Sequence, residues 1–264
     1  VRYHGGKYIL APWIISTFPE HKGYTEVFGG GGSVLLKKRR SYFEVYNDLD
    51  GEIVNIFRMV RDRGDELIAL LELTPFSREE LNLSYEPSLD PLEWARRSIF
   101  RSMAGFGSAA ATGQKTGFRA NSNRSGTTPA LDWRNFPGAI PAIIERLRGV
   151  IIENKDYYEI LKQHDAPKVL HYLDPPYMPE TRNKKWAEKS YRHELTPDQH
   201  GLFLTRAQSL EGYAIISGYD TELYNDTLKG WHKITRAALA DGARKRTEVL
   251  WLSPNTPIAN QLFQ

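Results

Sequence analysis

The chain of 264 residues contains no cysteine. Disulfides and thiolate-held metals are thereby excluded, and nothing points to an oxidising compartment. No apolar run approaches the ~18 residues that a bilayer-spanning helix needs, and no secretory-type leader is evident. The expectation is a soluble protein of the cytoplasm. Internal repeats are also absent. Net charge is only +3, so the placement of charge says more than its sum. Acidic residues are missing from Trp94 to Leu131, although that stretch carries Arg96, Arg97, Arg101, Lys115, Arg119 and Arg124. What is present is 41% apolar residues and 12% aromatic residues. That suffices for one large α/β domain, or for a core domain carrying a smaller inserted one.

Strand and helix patterns alternate from residue 24 to residue 230. Tyr24 to Phe28 reads as a short strand, Gly29-Gly30-Gly31-Gly32-Ser33 as a tight turn, and Val34-Leu35-Leu36 as an apolar helix start. This is how a doubly wound nucleotide-binding fold begins. The phosphate-cradling spacing G-x-G-x-x-G is not met, because position 35 is Leu. A ligand without a pyrophosphate is therefore favoured. A second strand, Tyr42 to Tyr46, ends at Asn47-Asp48, which places a carboxylate where ribose hydroxyls are held. Asp50 then reads as the N-cap of a helix with apolar residues at helical spacing. Upstream, Arg2-Tyr3-His4-Gly5-Gly6-Lys7 leads into a helix from about Ala11 to Phe18. Further on, Ile140 to Leu147 reads as a helix and Val150 to Glu153 as a strand. Asp156 either caps the next helix or faces the edge of a nucleoside base.

The acid-free stretch changes character along its length. Arg96 to Ala104 is helical, whereas Gly105 to Thr128 is rich in Gly, Ser, Thr, Asn and Ala. A loop that long inside a compact domain is usually functional or disordered. Unopposed basic charge among small hydrogen-bonding side chains suits phosphate contacts and the reading of base edges.

The chain's most informative stretch is Leu173-Asp174-Pro175-Pro176-Tyr177, which closes the apolar run Val169 to Leu173. A carboxylate at the C-terminal edge of a buried parallel strand stands where open α/β sheets bind ligands. The two prolines remove N–H donors and stiffen the turn, so carbonyls and a carboxylate face outward as acceptors. An aromatic ring follows at once. Such a set suits a planar ring bearing an exocyclic amine. After it come a polar basic segment from Glu180 to Glu194 and a helix from Pro197 capped by Thr196. A buried strand from Tyr213 to Ser217 follows. Two closing strands, Trp231 to Leu239 and Thr247 to Leu252, are joined by a turn at residues 241 to 246.

Taken in order, these motifs resemble the Dam-related, D12-class DNA adenine-N6 methyltransferases, especially phage and prophage members. Tyr3-His4-Gly5-Gly6-Lys7 resembles the family's N-terminal aromatic-x-GGK motif. Glu26-Val27-Phe28-Gly29-Gly30-Gly31-Gly32 is similar to its E-P-F-x-G-G-G motif, with Val27 in place of Pro. Asn47-Asp48 matches the acidic position after the second strand, Asp174-Pro175-Pro176-Tyr177 the D-P-P-Y motif, and Glu248-Val249-Leu250 the closing E-x-L strand. The resemblance implies a Rossmann-like α/β fold, a seven-stranded mixed sheet of the class I methyltransferase type. The implied catalytic domain covers residues 1–60 and 149–264, and a mainly helical target-recognition domain is inserted at 61–148.

It further implies S-adenosylmethionine as cofactor, double-stranded DNA as substrate and a cognate restriction endonuclease as a candidate partner. Work on the nucleoid of a bacterial or phage-infected cell is implied as well. By carry-over, Tyr3, Lys7, Phe28, Gly30, Gly32, Asp48, Asp156 and Asp174 hold the cofactor. Asp174, Pro175, Pro176 and Tyr177 carry the chemistry, and Arg96, Arg101, Lys115, Arg119 and Arg124 meet DNA; no metal is expected. Gly105 to Thr128 departs from the N-R-T-x-F-N-G pattern of Dam relatives, so no target sequence follows. The rival readings are an RNA or protein amine N-methyltransferase and a nucleic-acid-binding module with a decayed site.

Overall fold

The computed structural model of the protein describes residues 6–106, 113–121, 126–181, 192–240 and 244–258. The chain divides into two compact units, one of Lys7–Leu49 with Glu153–Gln264, the other of Val1–Gly6 with Asp50–Ile152.

The first unit is built on a mixed sheet. Its strands are β1 (Gly23–Glu26), β2 (Phe43–Asn47), β4 (Val169–Leu173), β5 (Tyr213–Tyr219), β6 (His232–Ala240) and β7 (Arg244–Leu252), and the sheet also takes in β3 (Val150–Glu153), whose first three residues are counted with the other unit. Their order is β3-β2-β1-β4-β5-β7-β6. The β1–β2, β1–β4 and β4–β5 pairs are parallel, and β7 runs antiparallel between β5 and β6. This is the class I methyltransferase arrangement that the motifs implied. Every residue of β1 and β4 is buried, as expected of strands covered on both faces.

Four α-helices lie among this unit's described residues: α1 (Ala11–Ser16), α8 (Tyr157–His164), α9 (Pro197–Gln208) and α10 (Glu222–Thr227). Thr196 and Gln199 form a full capping box at the start of α9, which satisfies two of its otherwise orphaned N–H groups. Phe203, Leu204 and Ala207 of α9 pack into a core with Val27, Leu173, Ile216 and Trp251.

The helix expected directly after the glycine loop does not form. Residues 33–37 make only turns, and the Leu35 N–H, which a first helical turn would leave without a ladder partner, donates to Glu26 Oε2 at 2.6 Å. Two bonds of the helical type remain there, Leu36 N–H to Gly32 O and Lys38 N–H to Val34 O, both at 2.9 Å.

The second unit is helical in its main body. It holds α2 (Gly51–Asp62), α3 (Gly64–Leu73), α4 (Arg78–Leu83), α5 (Pro91–Ala104), α6 (Pro129–Asn135) and α7 (Ile140–Leu147). Asp50 caps α2 by accepting from the Glu52 N–H, as its position in the sequence implies. Helix α2 falls within this compact unit, whose main segment runs from Asp50 to Ile152. The physical reason lies in packing, since Ile53, Val54, Ile56, Phe57 and Val60 are buried and α2 lies against α5 and α7. Phe100 and Trp133 stack edge to face at 4.8 Å, and the Trp133 indole N–H donates to Thr74 O. Part of the expected long loop is tied down. Gly105 bridges Phe118, and the Phe118 ring packs on Phe76 at 5.0 Å. Residues 107–112 and 122–125 of that loop lie outside the described residues. No helix among the described residues is long and apolar enough to cross a membrane.

Candidate active site

The carboxyl ends of the parallel strands β1, β2 and β4 put their following loops on one edge of the sheet, and the candidate site is assembled there. β1 runs into the glycine loop. Gly30 and Gly32 have φ of +47° and +63°, a region costly for any residue with a Cβ. The Gly30 N–H donates to Asp48 Oδ2 at 2.7 Å, and the Tyr46 hydroxyl donates to Gly30 O at 2.6 Å. At Gly29 a Cβ would lie 2.2 Å from the Tyr46 ring. The loop is therefore fixed by the strand beside it. Asp48, half-buried, is joined to that loop by this bond.

Asn47 and Asn154 carry a role that sequence reasoning missed. Asn47, 1% exposed, donates to Val27 O and Lys155 O and accepts from the Lys155 N–H. Asn154 donates to the carbonyls of Asp48 and Leu49. Two amides thus tie together the loops after β1, β2 and β3. The only signal in the sequence is an Asn at the end of each of two strands, which by itself reads as a turn residue. Asp156 resolves as the cap of α8, its Oδ1 accepting from the Tyr158 N–H at 2.9 Å. Phe28 stacks on Tyr157 at 5.4 Å, giving an aromatic surface beside the loop.

At the end of β4, Asp174 is largely buried. One oxygen, Oδ2, lies 3.0 Å from the Lys7 ammonium. The other, Oδ1, is fully buried and has no hydrogen-bond partner among the described residues. Lys7 is 6% exposed. Its ammonium also meets the Tyr177 hydroxyl, with its nitrogen 4.5 Å from the centre of that ring. The Tyr177 hydroxyl in turn donates to Glu248 Oε2 at 3.0 Å. Lys7, which the resemblance puts on the cofactor side, is paired with Asp174, as a buried ammonium requires counter-charge. Tyr219 lies against Tyr177, with ring centres 4.4 Å apart.

The sheet register explains this convergence. Leu173 pairs with Ile216, which carries the two strands forward to Asp174 and Ser217. Tyr219 pairs with Glu248 across β5 and β7.

Electrostatically, one ammonium serves two carboxylates. Burial pushes Asp174 above the ordinary carboxylate range, with Lys7 opposing it. Glu248 is raised for the same reason. Burial alone would lower Lys7, but Asp174 and Glu248 together hold it above its usual value, so the ammonium stays charged. At the base of the glycine loop Glu26, 3% exposed, is pushed up to about 8 by burial, against hydrogen bonds from Tyr24 and the Leu35 N–H.

The arginines expected on DNA divide into two groups. Arg96, 6% exposed, pairs with Glu93 at 2.6 Å and Glu80 at 2.8 Å. Arg101 pairs with Glu52 and donates to Ser84 O. Both are interior struts of the helical unit and not surface contacts. The acid-free composition of 94–131 misled here, since the carboxylates stand at positions 52, 80 and 93. Lys115 is exposed and its ammonium lies 6.0 Å from the Tyr85 ring centre. Arg119 is half-buried, with a hydrogen bond to Met103 O. Arg124 and Tyr3 lie outside the described residues.

Residues 3–86 and 95–240 match the model of the D12 class N6 adenine-specific DNA methyltransferases. A curated relative, the type II methyltransferase M1.LlaDCHI of Lactococcus lactis subsp. cremoris, is 27% identical over 277 residues, covering 94% of this chain and 93% of the relative. A solved structure from Pyrococcus horikoshii, assigned as an RNA methyltransferase, aligns at 12% identity and a TM-score of 0.26, over 72% of this chain and 96% of its own. So slight a likeness carries no argument, and the fold rests on the strand order. With the family match spanning most of the chain, the protein belongs to the D12 class N6 adenine-specific DNA methyltransferases.

Proposed function

We propose that this DNA adenine-N6 methyltransferase takes its methyl group from S-adenosylmethionine and acts on an adenine turned out of the duplex into the Asp174 site. The observation that carries this reading is Asp174 Oδ1, a buried acceptor with no hydrogen-bond partner among the described residues. An unmet buried acceptor is costly, and an amine N–H is the group that would satisfy it.

The donor set fits the cofactor. Gly30 and Gly32 allow close backbone approach, Asp48 offers a carboxylate to ribose hydroxyls, and Phe28 with Asp156 flank the loop. When bound, S-adenosylmethionine supplies an electrophilic methyl group. The adenine N6 lone pair is delocalised into the ring and is a weak nucleophile. Asp174 Oδ1 and the Pro175 carbonyl accept hydrogen bonds from the amine and draw it toward tetrahedral geometry, freeing the lone pair. Pro175 and Pro176 keep the turn stiff, so that positioning and electrostatics supply most of the acceleration. Turning the base out costs a few kcal/mol, which the aromatic wall of Tyr177 and Tyr219 partly offsets. In the helical unit, Lys115 and Arg119, together with Arg124, supply phosphate contacts as a target-recognition domain. A cognate endonuclease would complete a restriction–modification pair.

The test is methyl transfer from tritium-labelled S-adenosylmethionine to duplex DNA, RNA and protein, with wild type and Asp174→Ala. Transfer to adenine in duplex DNA is expected, and its abolition in Asp174→Ala with an unchanged circular dichroism spectrum. Retained activity in that variant would sink the mechanism.

A further inference from the structure

Tyr177 holds the one hydroxyl proton that two carboxylates compete for. Its oxygen is met by the Lys7 ammonium, so a lone pair faces Lys7. Its proton is donated to Glu248 Oε2 at 3.0 Å. The Lys7 ammonium that meets this hydroxyl also lies 3.0 Å from Asp174 Oδ2, so the hydroxyl and that carboxylate stand beside one shared donor. A hydroxyl has one proton to give. Whichever carboxylate receives it keeps less acceptor strength for anything else.

We propose that Glu248 is a positioning residue for methyl transfer: by taking the Tyr177 proton it prevents that hydroxyl from turning to Asp174, leaving Asp174 Oδ1 for the adenine amine. The proposal rests on the assignment of Asp174 as amine acceptor made above.

Glu248 is 7% exposed and is fixed opposite Tyr219 by the β5–β7 register, so its carboxylate is delivered by the sheet and not by a loop. It also keeps the charge around Lys7 uneven. With two carboxylates to one ammonium, Lys7 cannot neutralise Asp174 alone. Without the second carboxylate, the Lys7 ammonium and the Tyr177 hydroxyl would both be directed at Asp174, and its acceptor capacity would be spent before substrate arrives. Asp174 Oδ1 being without a partner is the condition this arrangement preserves.

The experiment is a double-mutant cycle on the full chain, with Glu248→Gln, Tyr177→Phe and both together, read as kcat on duplex DNA and as S-adenosylmethionine affinity by calorimetry. Glu248→Gln keeps the shape but weakens the acceptor. Its kcat is expected to fall about 10- to 100-fold, the worth of one charge-assisted hydrogen bond, with cofactor affinity unchanged within about twofold. In the double variant the competing hydroxyl is gone, so the rate should be no lower than in Glu248→Gln alone. Glu248→Asp keeps the charge and should recover part of the rate. If Glu248→Gln does not fold, the same cycle is run with Glu248→Ala, which removes the acceptor outright. Losses that multiply, a wild-type rate in Glu248→Gln, or an Asp variant as slow as Gln would overturn the proposal. Failure of wild type to methylate adenine in any duplex would instead overturn the assignment on which it rests.

Discussion

Replacing Glu26 by Gln should make the protein more stable at neutral pH, by an amount that grows with pH in a defined window. Glu26 ends β1, is 3% exposed, and accepts from the Tyr24 hydroxyl at 2.7 Å and the Leu35 N–H at 2.6 Å. Burial raises its pKa from 4.5 to about 8. Between those values the unfolded chain has lost the proton that the native state retains. The native state is therefore progressively penalised as pH rises from 4.5, and the penalty levels off above about 8. Each pH unit within the window is worth about 1.4 kcal/mol. The cumulative penalty is about 3 kcal/mol at pH 7 and about 5 kcal/mol above pH 8.

Glutamine has no proton to lose, and its carbonyl can still accept from Tyr24 and Leu35. Any cost of housing the amide N–H groups is independent of pH and enters as a constant offset. The assay is urea unfolding of wild type and Glu26→Gln at half-unit intervals from pH 4.5 to 8.5. The difference between the two curves should widen with pH and then flatten. A difference that stays constant across the range would refute the reasoning, because it would mean that Glu26 titrates alike in both states.

The pH dependence of catalysis has the same origin at a second carboxylate. Burial raises Asp174, and its ionised form is the stronger acceptor for the amine, so kcat should fall as pH drops through a midpoint above the ordinary carboxylate range. A midpoint at or below about 4 in the kcat profile would contradict this. Gly32 holds φ at +63°, so Gly32→Ala should cost about 1 kcal/mol or more of stability and weaken S-adenosylmethionine binding, measured by calorimetry. Unchanged values for both would show that the loop relaxes freely. Arg101→Ala breaks a buried pair with Glu52 and should destabilise by about 3–5 kcal/mol. Lys115→Ala should leave stability within about 0.5 kcal/mol while weakening duplex binding and reducing its salt dependence. The reverse pattern in unfolding and titration experiments would exchange their roles.

How much the sequence determined follows from the range of the forces involved. Strands β3 and β4 and helix α7 occupy the residues that periodicity indicates, because alternation and helical spacing are local properties. The caps at Asp50 and Thr196 were legible for the same reason. So was the order of motifs, which places Asp174 after a buried strand and the glycine loop after another. The segment after the glycine loop forms turns where a helix was expected, and its Leu35 N–H is taken by a carboxylate nine positions earlier, Glu26, a pairing that no local window contains. Arg96 and Arg101 looked unopposed because their acids lie on other helices. The Lys7–Tyr177–Glu248 chain joins positions far apart in sequence. The sequence by itself determined which side chains could do the chemistry. The tertiary structure alone decided their partners, because strand register and burial fix which of several possible acceptors each buried proton reaches.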